Sequence, residues 1–134
     1  MTFLGYKSNY YLEKLLAIIT KYAEKNVDEK IKKKYQVTGF PLEFQGELVN
    51  RCIHDLVDFV DESNDDLAYC ILGYFIMRRG AKMSKTLQKR LISSCSNLIG
   101  EDKTFQVFRD DLVKYNSGEL KDLKHIHPLY LFNL

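Results

Sequence analysis

With 134 residues, 46% of them hydrophobic and 28% charged, and a net charge of +2, the chain can bury about two-thirds of its unfolded surface around one core and is too apolar to be disordered. Seven glycines and two prolines are too few for the tight turns of a sandwich or barrel, which leaves long helices. A pI of about 8.3 argues against a strongly basic nucleic-acid binder, and the longest uncharged central run, residues 67–77, falls short of the roughly 20 residues that span a bilayer.

In chain order, Ser8 or Asn9 is placed to cap a first helix running to Lys25, with Leu12, Leu15, Leu16, Ile19, Tyr22 and Ala23 at helical spacing. The segment before it has neither the basic start nor the continuous apolar stretch of a secretory signal. A short basic piece, DEKIKKKYQ, carries Asp28 and Glu29 first and its lysines later, the polarity a helix dipole favours. Gly39 and Pro41 then mark a loop, and Pro41 suits the first turn of the next helix.

That next stretch, residues 41–66, holds eight acids against one base, Arg51, a local charge of −7. Wound as one helix, it gathers Leu48, Val49, Cys52, Ile53, Leu56, Phe59 and Val60 on one arc. Glu43, Glu47, Arg51, His54, Asp58, Asp61 and Glu62 fall on the other. Gly46 weakens its start. A charged arc is what any solvated helix shows, but like charges one turn apart repel by a few tenths of a kcal/mol, and a face built for stability would interleave lysines. The partner-binding candidates are therefore Glu47, His54, Asp55, Asp58, Asp61, Glu62, Asp65 and Asp66.

After a capping loop, LAYCILGYFIM is apolar on every side and reads as a buried central helix, 67–79, with Gly73 admitting a close neighbour and Gly80 ending it. Ser84 caps a helix with Leu87, Leu91, Ile92, Cys95, Leu98 and Ile99 as its stripe, stopped by Gly100. Residues 67–100 contain no acid, while Arg78, Arg79, Lys82, Lys85, Lys89 and Arg90 form a basic hairpin. Asp102 caps a last helix with Phe105, Phe108, Leu112 and Tyr115 inward, ending at Ser117-Gly118, and beyond Pro128 the chain reads as an extended arm. The expected architecture is all-α: a single helical domain over residues 1–134, arranged as a multi-helix bundle or a short solenoid-like array with an extended C-terminal arm.

No catalytic signature is present. His125 and His127 lack further ligands at zinc spacing, so no metal is expected. The three cysteines, Cys52, Cys70 and Cys95, match no zinc pattern and read as buried free thiols suited to the cytoplasm. His54 lies about 160° around the helix from Cys52 and cannot activate it, and no glycine-rich phosphate loop exists. No cofactor, no enzyme activity and no membrane contact are expected. The competing reading is a helical nucleic-acid-binding or regulatory adaptor that uses the basic hairpin at 78–90, although the acidic helix would repel its ligand.

DDLAYCILGYFIMRRG, followed by SKTLQKRLISSCSNLIGEDKTFQVFRD, resembles the small all-helical immunity proteins of bacterial contact-dependent growth inhibition and polymorphic toxin systems, over residues 41–118. The resemblance implies a cytoplasmic protein that binds a cognate toxin domain and blocks its active site. Many such toxins are nucleases with cationic clefts, which carboxylates on a rigid helix could occupy in place of phosphates. No single residue carries over as a family contact, and the direct partner implied is the toxin domain, not nucleic acid.

Overall fold

A computed structural model describes residues 3–30 and 42–119. Among these residues the chain forms six helices and no strand: α1 (Phe3–Asn26), α2 (Leu42–Arg51), α3 (Ile53–Ser63), α4 (Asp66–Arg79), α5 (Lys85–Leu98) and α6 (Thr104–Ser117). The basic piece beyond Lys30, the loop at Gly39-Pro41 and the C-terminal arm lie outside the described residues; Asp28 does accept the Lys30 amide at 2.7 Å, as a capping residue would.

The fold is organised around α4. All eleven residues from Leu67 to Met77 are buried, because this helix has no polar face to turn outward and must be covered on every side. α1, α2, α3, α5 and α6 all pack against it. The result is a bundle around a central helix, not a linear array. The ends of α4 are set by local chemistry. Asp65, in an extended conformation, accepts the Leu67 amide at 3.0 Å, and Gly80 closes the helix with φ +67°.

The neighbouring helices carry one apolar stripe each. In α1, Tyr11, Leu15, Ile19 and Ala23 recur every four residues and are buried, whereas Leu16, read as inward from sequence, is 38% exposed. α1 also begins earlier than expected: Ser8 is fully buried inside the helix and does not cap it. In α5, Ser84 Oγ accepts the Leu87 amide at 3.2 Å, and Leu87, Leu91, Cys95 and Leu98 face the core. In α6, Asp102 accepts the Thr104 amide at 2.8 Å, Phe105, Phe108 and Leu112 are buried, and the Tyr115 hydroxyl donates to the Ala81 carbonyl.

The acidic stretch is two helices, not one. Cys52, at φ −107° and ψ 20°, leaves the helical region and separates α2 from α3. α2 is held independently against the end of α4. Gly46 packs so tightly on the Arg79 carbonyl that a Cβ there would lie 2.1 Å from the oxygen, and Asn50 accepts the Lys82 amide at 2.8 Å. Gly46 is therefore a contact residue, not merely a weak helix former. α3 lays Leu56 and Val60 into the core on its own account. Among the described residues no helix is long and apolar enough to cross a membrane.

Candidate partner-binding surface

With Leu56 and Val60 inward, α3 turns His54, Asp55, Asp58, Asp61 and Glu62 out, and all five are exposed. At about 100° per residue they succeed one another around the helix as Asp61, His54, Asp58, Glu62, Asp55, so α3 forms a ridge with Asp58 near its crest. Glu47 is exposed too, but on α2, across the break at Cys52, and so does not continue the same column. Among the described residues, Glu47, Asp55, Asp58 and Glu62 have no side-chain hydrogen bond or ion pair.

Asp65 belongs to the interior framework. Besides capping α4, its carboxylate pairs with Lys7 Nζ at 2.5 Å and accepts the Tyr11 hydroxyl at 2.7 Å, tying α1 to the head of α4. Asp66, half-buried, accepts Asn97 Nδ2 at 3.2 Å from α5. These two acids, grouped by sequence with the partner surface, each bond to another helix. The signal was available, since both precede an apolar run and complement its N-terminus.

Burial alone would raise the Asp65 carboxyl, but Lys7, the Tyr11 hydroxyl and the Leu67 amide outweigh it and hold it below the ordinary value of 3.8. A folded-state pKa below the unfolded one means that Asp65 contributes fully above about pH 4 and that this contribution fades as pH falls further. Asp65→Asn, which retains a capping oxygen but no charge, should flatten that acid limb in pH-dependent denaturation. Asp65→Ala, which also removes the cap, should cost about 2–3 kcal/mol near neutrality.

On the His54 and Asp61 side of the ridge lies a groove of about 790 Å³. Ile53 and Val57 of α3 and Met83 and Leu87 at the start of α5 give it apolar walls; His54, Asp61, Lys82 and Arg90 supply charged or titratable groups. The Tyr69 hydroxyl donates to Asp61, and the Arg90 guanidinium lies 4.4 Å from the Tyr69 ring centroid. Burial first, then the Asp61 carboxylate, raise the Tyr69 phenol above its usual value. The acidic helix and the basic hairpin thus share one groove and meet through Tyr69. On the Asp55 side, Ile18, Lys21, Tyr22, Lys25 and Asn26 of α1 flank a smaller hollow of about 520 Å³.

The basic hairpin is not a uniform cationic face. Arg79 is folded back, with Nε donating to Gln45 at 2.8 Å and the guanidinium 3.8 Å from the Phe75 ring centroid; burial lowers its pKa to about 10. Lys82, Lys85, Lys89 and Arg90 remain exposed.

Burial pushes the Cys52 thiol up to about 11, which disfavours a nucleophilic thiolate. Among the described residues no group of three His, Cys, Asp or Glu side chains is disposed to hold a metal ion, and His125 and His127 lie outside those residues. Together the helices present an acidic ridge beside a groove with apolar walls. No family model, curated protein or solved structure matches the chain.

Proposed function

We propose that this chain is a binding protein of the immunity type its sequence resembles, which docks a cationic protein domain, such as a nuclease toxin, against the α3 ridge and occludes that domain's active site. The observation that carries the proposal is the set of exposed carboxylates at Glu47, Asp55, Asp58 and Glu62 that make no ion pair or side-chain hydrogen bond among the described residues, with Asp58 and Glu62 at its centre. Unneutralised acids repel one another and cost the free protein stability; a cationic partner removes that repulsion and is steered toward it. His54 and Asp61 extend the ridge to the groove edge, where Ile53, Val57, Met83 and Leu87 can bury a partner's apolar side chain, the kind of contact that dominates interface energies.

The test begins with affinity capture of the partner from the native cell. Its affinity is then measured by calorimetry against wild type and an Asp58→Lys/Glu62→Lys double variant. Each close charge pair at a desolvated interface is worth about 1.5 kcal/mol or more, so the double reversal should weaken binding by about 100-fold or more, with helicity unchanged and the melting temperature no lower than that of wild type. Equal affinity in a folded double variant would remove α3 from the interface.

A further inference from the structure

Cys70 in the middle of α4 and Cys95 in α5 face one another, and their Sγ atoms are 3.1 Å apart. Both residues are 0% exposed, and α4 and α5 pack directly along each other. A disulfide has its sulfurs about 2.05 Å apart, so closing this pair asks the two side chains to approach by about 1 Å. Cys52, buried at the break between α2 and α3, has no sulfur contact with either among the described residues. Three thiols that sequence alone treats alike thus divide into a pair and a single.

We propose that Cys70 and Cys95 are a built-in cross-link site, joined as a disulfide when the chain folds in the presence of a small-molecule disulfide such as oxidised glutathione. The step runs by thiol–disulfide exchange. One cysteine, having lost its proton to solvent, attacks a glutathione sulfur, forming a mixed disulfide and releasing one glutathione thiolate, which takes up a proton. The other cysteine, likewise deprotonated, attacks the protein sulfur of that mixed disulfide, and a second glutathione leaves. Two protein thiols are oxidised and one glutathione disulfide is reduced to two thiols.

The surroundings determine when this happens. Burial, reinforced by the neighbouring sulfur and by the Asp66 and Asp65 carboxylates, holds the Cys70 thiol well above its usual range. The pair is therefore inert in the folded, reduced protein and reacts while the two helices are still apart. Once closed, the same burial shields the bond from reductants. The cross-link joins residues 25 apart in sequence and encloses the turn between α4 and α5, restricting the unfolded chain more than the folded one.

The experiment refolds the denatured, reduced chain with either reduced or oxidised glutathione, then counts thiols after denaturation and maps peptides by mass spectrometry. With oxidised glutathione, titratable thiols should fall from three to one, the intact mass should drop by about 2 Da, and one cross-linked peptide should join Cys70 to Cys95. The oxidised protein should melt about 5–10 °C higher than the reduced one. Cys52→Ser should fall from two thiols to none, and Cys95→Ala should form no internal cross-link. Retention of all three thiols, a cross-link involving Cys52, or an oxidised wild-type chain without a cooperative melt would each overturn the proposal. Because the wild-type peptide map decides the pairing, a variant that fails to fold does not protect it.

Discussion

Gly46→Ala should destabilise the protein by about 3 kcal/mol, well beyond the cost of the same change at Gly73. Alanine is favoured over glycine inside a helix by about 1 kcal/mol, so a substitution in α2 would ordinarily help. Here the added Cβ would lie 2.1 Å from the Arg79 carbonyl oxygen and 3.3 Å from its carbon. Both are backbone atoms at the end of α4, beside Gly80 in its left-handed conformation, and neither can swing aside as a side-chain tip could. Either α2 lifts off α4, breaking the Asn50 and Gln45 contacts, or the last turn of α4 distorts. Gly73→Ala is the control. Its new methyl would meet the Leu112 and Leu91 side-chain ends at 3.2 and 3.5 Å, which can shift, so it should cost about 1 kcal/mol or less. Thermal melts measure both, with a drop of about 10 °C anticipated for Gly46→Ala. A Gly46→Ala protein melting within a degree or two of wild type would mean that α2 does not cross α4 at this point.

Phe75→Ala should cost about 4 kcal/mol, the largest loss anticipated from any single truncation described here. Phe75 is fully buried in α4, and its ring also supports the Arg79 guanidinium at 3.8 Å. Truncation opens a phenyl-sized cavity in the most enclosed helix and removes the surface against which Arg79 shelters while Nε bonds Gln45. Phe75→Leu separates the two effects, since it refills most of the volume without a π face, and should cost roughly 1.5–2 kcal/mol. Urea denaturation should show the midpoint falling with little change in slope, the mark of lost stability with an unaltered fold. A loss of about 1 kcal/mol or less for Phe75→Ala would contradict close packing on that side of α4.

The helices were legible wherever two local signals coincided. The central helix reads correctly because an uninterrupted apolar run sits between an acidic capping residue and a glycine, and Asp65 and Gly80 occupy those roles. Ser84 starts α5 and Gly118 ends α6 in the same way, and Asp102 holds the Thr104 amide although Lys103 occupies the cap position. The end of α5, however, falls at Leu98, with Ile99 in a right-handed helical conformation as its cap, and not at the expected Gly100. Where one signal stood alone it misled. Ser8 looked like a cap, but capping needs a non-helical segment before it, and α1 already runs through from Phe3. Apolar periodicity carried straight across Cys52, because a helix break that keeps the inward residues inward leaves the hydrophobic pattern intact. The acids of α3 were placed outward correctly, whereas Asp65 was counted with them although its partners, Lys7 and Tyr11, lie in another helix. The groove and the Cys70–Cys95 contact were not legible. Each joins residues from different helices, and periodicity reports which side of a helix is wet, not which helix lies opposite.

The enclosure of α4 limits where this molecule can change over evolutionary time. Every residue from Leu67 to Met77 is buried in a helix that packs against five others, so accepted changes there must conserve volume closely. The α3 ridge is under no such restraint, because reversing Asp58 or Glu62 disturbs no bond among the described residues. The outer surface can therefore drift residue by residue while the inner helix stays nearly constant, and under the proposed binding role new preferences would arise without rebuilding the scaffold that presents them.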